Sequence, residues 1–281
     1  MNILHLAHRL PYPPNKGDKV RSYHQIAHLA RNHAVWCACF VDDPADLVHV
    51  DRLRSLCREV AAIRLFKPVA ALGGLWNLTT GGTFTEGFYQ HLHMLRTLQR
   101  WNRTVDFDAV LVFSSGMAPY ARYVDAPRKI VDFCDLDSQK WSAYARRGAG
   151  PRAPLFRLEA RRLARHELEW LDAFDAAVVI TDAEAADLIH SPLRHKVHTV
   201  SNGVDPPAGC DRIAPPDQPV VGFVGAMDYP PNVDAVRWFA ETTWPLIIRR
   251  VPGARFEIVG RYPTRPVREL SRIEGVEVIG E

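Results

Sequence analysis

The sequence predicts an α/β fold with two parallel-sheet domains, of which the second is incomplete. From Asn2 onwards, short apolar runs alternate with helical patterns, which is typical of parallel strands joined by crossover helices. Five prolines among residues 206–219 interrupt this alternation and indicate a linker. The length of 281 residues also suits two domains. We therefore place the domains at residues 1–200 and 219–281, and the linker at residues 201–218.

The first domain is predicted to begin with a βαβ unit. Asn2–Ala7 has the pattern of a strand, a proline-rich loop follows, and the next helix carries Val20 and Ile26 on its buried face. Ala34–Val41 is the second strand, and the sheet should be parallel. Later strands are expected at residues 60–65, 109–113, 129–133, 176–180 and 197–200, and helices at 46–57, 155–174 and 182–189.

The segment Ala70–Thr85 interrupts this alternation with two Gly-Gly pairs and an apolar Leu-Trp pair. We expect a mobile apolar loop here, followed by one helix that carries Phe88, Leu92, Leu95 and Leu98. The loop is expected to pack on its own domain; contact with a lipid surface or with an acceptor is the alternative.

The second domain is predicted to start with a strand, a glycine turn and a helix. Val220–Val224 is short and apolar, and Gly225 allows a tight turn. Asn232 is the predicted N-cap of a helix that ends near Pro245. Unpaired N–H groups at such a helix start, together with the helix dipole, attract phosphate without a metal, whereas the alternative is an ordinary βα unit without a ligand. Further strands are expected at residues 256–259 and 276–279.

An acidic pair follows the predicted strand at residues 129–133. Asp135 and Asp137 lie at the carboxyl end of that strand, where open α/β sheets bind their ligands. Hard carboxylate oxygens suit Mg²⁺ or Mn²⁺, but Asp137 and Ser138 could equally cap the next helix, and a metal-free site is a third alternative. The histidines His24 and His28 lack an evident third ligand and are not expected to bind a metal.

Basic residues crowd the start and the expected exposed side of the helix at residues 155–174. Only Glu159 offsets them before Glu167. Such a cluster attracts anionic lipid headgroups or a lipid diphosphate, whereas a solvated helix face is the alternative. The predicted apolar face of this helix is Leu155, Leu158, Leu163, Leu168 and Leu171. The basic cluster is Arg146, Arg147, Arg152, Arg157, Arg161, Arg162 and Arg165.

Composition restricts the classes of function. The net charge of +3 is too small to indicate nucleic acid, and no apolar run is long enough to span a bilayer. The start MNILH lacks the pattern of a signal peptide, so we expect a cytoplasmic protein. Five cysteines without a C-x-x-C pair argue against a disulfide framework or a zinc site. No G-x-G-x-x-G follows a predicted strand, which counts against a dinucleotide oxidoreductase.

Three motifs resemble those of a known family. The run GFVGAMDYPPNVDAVRWFAETTWPLI in the second domain, with SNGVD at Ser201–Asp205 and FEIVGRYP at Phe256–Pro263, resembles glycosyltransferase family 4 enzymes of the GT-B fold. Within that family the chain resembles the sugar transferases associated with PEP-CTERM/exosortase exopolysaccharide systems. The resemblance implies two Rossmann-like domains that transfer a sugar, with retention at the anomeric carbon, from a nucleotide-sugar donor to a glycan or lipid-linked acceptor. The first domain would hold the acceptor and the second the donor.

The resemblance also implies binding residues. Gly17 and Asp18 match the first-loop position that approaches the donor phosphate and the acceptor. Arg21, on the same predicted helix, is a further candidate for donor or acceptor binding. The positions that match the lining of the family's cleft are Asn202, Gly203, Gly225 and Arg261.

Two departures from the family pattern affect these expectations. Many relatives have a catalytic-site histidine after the strand that corresponds to residues 129–133, whereas this chain has Cys134 and Asp135. Asp135 is therefore the candidate catalytic residue. The two glutamates with which the family grips the donor would lie beyond residue 281, so we expect a chain that is truncated in its second domain and inactive alone.

Three classes of function remain open: a sugar transferase or a fragment of one, a nucleotide-sugar epimerase of the same fold, and a non-catalytic acceptor-binding module. For the transferase we expect no metal and no other cofactor, because a helix N-terminus near Gly225 and the side chain of Arg261 could neutralise the donor diphosphate. The expected partners are a nucleotide-sugar donor, a glycan or lipid-linked acceptor and, at the periphery, an anionic membrane, but no nucleic acid.

Overall fold

A computed structural model of the chain describes residues 1–146, 150–188, 192–204 and 217–280. The chain forms two compact units, Met1–Val204 (unit 1) and Asp205–Glu281 (unit 2). Most of the predicted linker lies outside the described residues. The same holds for Asp205 of the SNGVD motif, for Arg147 of the basic cluster, for Cys210 and for the expected helix end at Ile189.

Unit 1 is built on one parallel sheet of seven strands in the order β3-β2-β1-β4-β5-β6-β7. Consecutive strands run outwards from β1 on one side and from β4 on the other, so the carboxyl ends of β1 and β4 border the point where the strand order reverses. In α/β sheets this point is where ligands bind. The strands are β1 (Asn2–Ala7), β2 (Ala34–Val41), β3 (Glu59–Arg64), β4 (Ala109–Phe113), β5 (Lys129–Cys134), β6 (Ala176–Val179) and β7 (Val197–Thr199).

Helices cover both faces of this sheet, and alternate strand residues divide between two cores. Leu4 and Phe40 belong to the core on one face, whereas Ala7, Cys37 and Cys39 belong to the core on the other. The helices are α1 (Gly17–Leu29), α2 (Val50–Arg54), α3 (Lys67–Thr79), α4 (Phe84–Tyr89), α5 (Leu92–Thr104), α6 (Asp137–Arg146), α7 (Ala153–Ala173) and α8 (Asp182–Leu188), with 3-10 turns at Pro44–His49, Ser115–Tyr123, Gly150–Arg152 and Arg194–Lys196.

Unit 2 has a parallel sheet of three strands in the order β10-β9-β8. Its elements are β8 (Val220–Val224), α9 (Pro230–Trp238), a π-helical turn (Phe239–Thr243), α10 (Trp244–Arg250), β9 (Arg255–Val259), α11 (Arg265–Arg268), a 3-10 turn (Glu269–Arg272) and β10 (Val276–Ile279). The predicted α/β fold with two parallel sheets is confirmed. Within the described ranges, no helix has both the length and the apolar character needed to cross a bilayer.

The expected loop at Ala70–Thr85 is wrong, because most of this segment is helical. Gly73 and Gly74 allow α3 and α4 to approach closely: a Cβ on Gly74 would lie 2.6 Å from a ring carbon of Phe84. The glycines therefore serve helix packing. Helix α4 begins with a capping-box sequence, Thr83 followed three residues later by Glu86, and the Thr83 hydroxyl accepts the Glu86 N–H at 3.1 Å. The single helix expected after this segment is two helices, α4 and α5, because the chain is extended at residues 90–91.

The predicted apolar face of α7 is also wrong in part. Leu155, Leu158 and Leu168 are exposed, whereas Glu159 and Glu167 are buried. Both carboxylates accept hydrogen bonds from the first residues of other helices, which compensates for their burial. The two acids therefore do not lie among the arginines on the surface of this helix.

The helix that follows Gly225 differs from the prediction at both ends. It begins at Pro230 with Tyr229 as N-cap, and the Asn232 side-chain amide instead donates to the Ala226 carbonyl oxygen at 3.0 Å. Pro245 does not end it, because a π-helical turn connects α9 to α10 and places this proline in the first turn of α10, where no N–H is required.

Candidate functional site

A cavity of about 350 Å³ lies at the carboxyl end of the sheet in unit 1. The loops after β1, β4 and β5 form its floor, and the first residues of α1, α4 and α6 form its walls. Its lining combines six aromatic rings with charged and polar groups, a composition typical of small-molecule sites. The lining residues are His8, Arg9, Asp18, Phe84, Thr85, Phe88, Tyr89, Phe113, Ser114, Phe133, Cys134, Asp135, Asp137, Lys140 and Trp141.

Asp18 is the anionic group on one side of the cavity. Its Oδ2 atom lies 2.7 Å from Arg9 Nη1 and 3.2 Å from His8 Nε2, and its Oδ1 atom accepts the Lys19 N–H. Burial opposes its ionisation, but the hydrogen bond and charge of His8 and the charge of Arg9 hold the pKa of Asp18 well below its usual range. Asp18 is therefore a fixed negative charge, suited to accept hydrogen bonds from a ligand.

Asp135 lies in a different environment. Burial, and next the nearby charge of Asp137, raise the pKa of Asp135 above its usual value. Cys134, the residue before it, has a left-handed backbone with φ of 61°, as has Ser114 after β4 with φ of 76°. Such conformations cost energy and persist where the surrounding structure holds them. Two carboxylates whose pKa values are shifted in opposite directions suit different roles, binding for Asp18 and proton transfer for Asp135.

The second acid of the predicted acidic pair is already paired. The Asp137 carboxylate accepts a hydrogen bond from Lys140 Nζ and lies in the first turn of α6. Ser138 donates both its backbone N–H and its hydroxyl to Glu167. The cap of this helix start therefore comes from α7. Among the residues that the structure describes, no group of three His, Cys, Asp or Glu side chains is placed to hold a metal ion.

Arg21 and Asn202 belong to a polar network beside this cavity. Arg21 Nε donates to Asp132 Oδ2 at 2.7 Å, and Arg21 Nη1 donates to Asn202 Oδ1 at 2.9 Å. Gln25 donates to the same Asp132 oxygen at 2.5 Å and contacts His5 Nε2 at 3.1 Å. Burial lowers the pKa of His5 to about 4, so this imidazole is neutral near pH 7. The network ties α1 to β5 and to the residues after β7.

The other predicted residues are distributed over both units. Gly17 is the first residue of α1, and Gly203 is exposed; neither has neighbouring atoms that would exclude a side chain. Gly225 and Arg261 follow β8 and β9 in unit 2. Gly260 packs closely on Gly225, so that a Cβ on Gly260 would collide with the Gly225 carbonyl. The Arg261 guanidinium lies 5.7 Å from the centre of the Tyr262 ring.

The start of α9 lacks the unpaired N–H groups expected there. Pro230 and Pro231 have no N–H, and the N–H groups of Asn232 and Val233 both donate to the Tyr229 carbonyl. The helix dipole remains, so attraction of a phosphate at this end would depend on the dipole and on nearby basic side chains.

Sequence reasoning missed several residues of the cavity. His8 and Arg9 directly follow β1, and Lys140 and Trp141 lie in the second turn from the start of α6. The sequence does contain a signal for His8 and Arg9, because polar residues that directly follow a buried parallel strand lie at the edge of the sheet where ligands bind. Lys140 and Trp141 could be placed only once α6 was known to start at Asp137.

The buried carboxylate of Glu167 gives a test of the α6–α7 contact. Burial raises the pKa of Glu167 to about 7, although the Ser138 hydrogen bonds oppose the shift. An acid whose pKa is raised on folding destabilises the protein as pH rises from its unfolded pKa through its folded pKa, here from about 4.5 to 7. Glu167→Gln should therefore raise the free energy of unfolding by about 3 kcal/mol more near pH 8 than near pH 4.5.

Urea unfolding of both proteins at the two pH values measures this difference. Other titrating groups, such as His5, are present in both proteins and cancel in the comparison. Glu169→Gln, which alters an exposed glutamate on the same helix, is the matched control and should show no such pH dependence. An equal effect of Glu167→Gln at both pH values would contradict the prediction.

The chain resembles known proteins in the sequence of its second unit and in its fold. Residues 218–281 match the sequence model of the family Glycosyl transferases group 1. No curated protein matches the chain in sequence. The crystal structure of TarM is similar, with a TM-score of 0.56 and 11% identity over 99% of this chain and 76% of TarM.

Two further structures show the same similarity. An S. aureus TarM mutant in complex with Fondaparinux, alpha-GlcNAc-glycerol and UDP has a TM-score of 0.56 and 10% identity over 99% of this chain and 77% of its own. The alpha,alpha-trehalose 6-phosphate synthase from Burkholderia multivorans has a TM-score of 0.51 and 11% identity over 100% of this chain and 73% of its own. At these identities the likeness concerns the fold. The chain therefore has a GT-B-like α/β fold, and residues 218–281 of its second unit match the sequence model of group 1 glycosyl transferases.

Proposed function

We propose that the protein is a retaining glycosyltransferase that moves a sugar from a nucleotide-sugar donor to a glycan or lipid-linked acceptor in exopolysaccharide biosynthesis. The observation that carries this proposal is the match of residues 218–281 to group 1 glycosyl transferases. The aromatic and acidic cavity at the switch point of the unit 1 sheet supports it, because such a site suits the apolar faces and the hydroxyls of a sugar.

In this proposal the unit 1 cavity holds the acceptor. The Asp18 carboxylate, kept ionised by His8 and Arg9, accepts hydrogen bonds from acceptor hydroxyls. Asp135, whose pKa is raised, takes the proton from the attacking hydroxyl. The aromatic rings, among them Phe88 and Trp141, exclude water and pack against the sugar.

Unit 2 holds the donor. Gly225 lets the chain turn at the carboxyl end of β8, and Arg261 follows the neighbouring strand β9, where a guanidinium can form paired hydrogen bonds with a diphosphate. The dipole of α9 adds to this attraction. The S. aureus TarM mutant, which shares the fold, was solved in complex with UDP, and this supports a nucleotide diphosphate as the leaving group.

The biological setting belongs to the same proposal. The motif resemblance supports a role in a PEP-CTERM-associated exopolysaccharide system, on the cytoplasmic side of the membrane. The exposed arginines of α7 would bring the protein into peripheral contact with anionic lipid.

A transfer assay tests the proposal and the role of Asp135. The protein is incubated with a panel of nucleotide sugars and with glycan and polyprenyl-linked acceptors, and the acceptor mass, nucleotide release and anomeric configuration are measured. Asp135→Asn should lower the transfer rate by about 100-fold or more, because general base catalysis contributes on that order. Asp51→Asn, which alters an exposed carboxylate, is the matched control and should transfer at the wild-type rate.

Three results would count against parts of this proposal. Conversion of the donor to an epimer without acceptor would favour an epimerase, and a wild-type rate for Asp135→Asn would remove its assigned role. A product of inverted configuration would exclude retention.

Metal independence is a further prediction. Because Lys140 already pairs with Asp137, and because Arg261 and the α9 dipole can neutralise the donor diphosphate, transfer should continue in the presence of EDTA at close to the untreated rate. The measurement is the transfer rate before and after chelation. Complete loss that Mn²⁺ restores would instead support a metal at Asp135 and Asp137.

A further inference from the structure

Helix α3 exposes an apolar stripe. Val69, Leu72 and Trp76 follow one another at helical spacing and are 62%, 66% and 72% exposed, and Phe66, which precedes the helix, extends the stripe by one turn. No charged residue occurs between Lys67 and Glu86. Scattered apolar residues are ordinary on protein surfaces, whereas a contiguous stripe on a helix whose one charged residue is Lys67 at its start indicates a contact.

The helix is held firmly behind this stripe. Gly73 and Gly74 lie against α4, and the Asn77 side chain donates to the Thr83 carbonyl at 2.7 Å. Arg162 of α7 donates to the carbonyls of Leu78 and Gly82, both at 2.6 Å, which ties down the carboxyl end of α3. The stripe is therefore presented by a fixed helix that already has its own packing face.

Positive charge lies on α7, the helix that contacts the carboxyl end of α3. α7 adjoins the end of α3 through Arg162, and Arg157, Arg161 and Arg165 of this helix are exposed. The two glutamates that the sequence places among these arginines are turned inwards, towards α4 and α6. Of the three arginines, Arg165 has an acidic neighbour on the surface, Glu169 at 3.5 Å.

We propose that α3 inserts this stripe into the interfacial region of an anionic lipid bilayer while the α7 arginines bind its headgroups. An apolar helix face with a tryptophan, on a unit that also exposes a basic helix in contact with it, matches what such an interface binds. A protein partner of acidic surface would match the arginines, but between Lys67 and Asn77 the side chains of α3 would offer it only the indole N–H of Trp76 to fix its register. The proposal rests on the peripheral membrane contact included in the proposed function, although it requires no sugar transfer.

Vesicle sedimentation with paired variants tests it, using phosphatidylcholine vesicles with and without roughly one-third phosphatidylglycerol. Leu72→Ser/Trp76→Ser should lower the partition coefficient about tenfold by removing the inserted apolar area. Arg157→Gln/Arg161→Gln should lower it about tenfold or more at low salt, since each arginine near an anionic surface contributes about fivefold. All variants alter exposed residues, and thermal unfolding verifies that they fold.

Matched controls come from unit 2. Trp238→Ser removes another exposed tryptophan (62%), and Arg249→Gln/Arg250→Gln removes two exposed arginines; both proteins should bind like the wild type. Trp76→Phe keeps an insertable aromatic ring, so it should bind vesicles normally but lose the quenching of tryptophan fluorescence by brominated lipid.

Three outcomes would overturn the inference. If the arginine variant loses binding and the α3 variant does not, the protein adsorbs by charge alone, and the peripheral contact stands without insertion. If quenching persists in Trp76→Phe, another element inserts. If vesicles are not bound and the wild-type chain self-associates in a manner that Trp76→Ser abolishes, the stripe is an interface between copies. Transfer activity plays no part in these readouts, so the sugar transferase proposal is judged separately.

Discussion

Asp132→Ala should lower the free energy of unfolding of unit 1 by about 3–5 kcal/mol, the usual cost of removing one partner from a buried ion pair. Asp132 is 1% exposed and Arg21 is 8% exposed, and their side chains lie 2.7 Å apart. Without the carboxylate, the guanidinium of Arg21 stays in the interior with Asn202 as a neutral partner. The Cys134 N–H also loses its acceptor, which loosens the backbone next to Asp135.

Urea unfolding, with hydrogen exchange of the β5 amides to follow unit 1, measures this loss. Asp175→Ala is the matched control: its carboxylate accepts the Lys129 N–H at the other end of β5, but it is exposed, so about 1 kcal/mol or less is expected. Replacing both partners, as in Arg21→Met/Asp132→Leu, should recover much of the stability, because no buried charge then remains. A loss for Asp132→Ala as small as that for Asp175→Ala would contradict the account of the network.

Glu159→Ala should destabilise unit 1 by roughly 2–5 kcal/mol, because it leaves buried donors without an acceptor. Glu159 is 2% exposed and accepts the Phe84 N–H at 2.6 Å, the Thr85 N–H at 2.9 Å and the Thr85 hydroxyl at 2.8 Å. These donors are at the start of α4, where a carboxylate also interacts favourably with the helix dipole. Since Phe84 and Thr85 line the cavity, acceptor binding should weaken together with stability.

Chemical unfolding and acceptor titration by calorimetry measure the two effects. Glu169→Ala removes an exposed glutamate from the same helix and should cost about 0.5 kcal/mol or less. Glu159→Gln, which keeps one acceptor oxygen, should fall between the wild type and Glu159→Ala. If Glu159→Ala were as stable as Glu169→Ala, the start of α4 would not depend on α7.

The strands of this fold are predictable because their signal is local. Five strands have the predicted bounds to the residue, and the other described strands differ from their predicted bounds by one residue at one or both ends. The five are at residues 2–7, 34–41, 109–113, 220–224 and 276–279. Apolar runs bounded by breakers are sufficient for this, and a parallel arrangement follows from the helices between them. The same reasoning puts Asp135 at the carboxyl end of the sheet, whereas Asp18 was predicted from the family resemblance. The structure brings both to one cavity.

The polar partners of the site are not predictable in this way, since they are far apart in the chain. Asp132 interrupts an apolar strand, which marks it as unusual, but its partner Arg21 is 111 residues away. In the sequence, Glu159 lies between arginines and has the spacing of a surface residue. In the structure it is buried and accepts N–H groups from the start of α4. A periodic pattern reports which face of a helix is apolar, and it contains no information on which polar groups tertiary packing will bury.

The close contact of α3 and α4 restricts which substitutions this sequence can accept during evolution. Gly73, Gly74 and Gly87 face one another, and a methyl group on any of them would lie within 3 Å of atoms of the other helix. Replacing one of these glycines with alanine does not relieve the close contacts at the other two. A homologue with larger residues here must move α3 or α4 as a whole, and Phe84, which lines the cavity, moves with α4. Three glycines, which have no side chain to contact a substrate, thus set the width of the cavity by fixing the distance between α3 and α4.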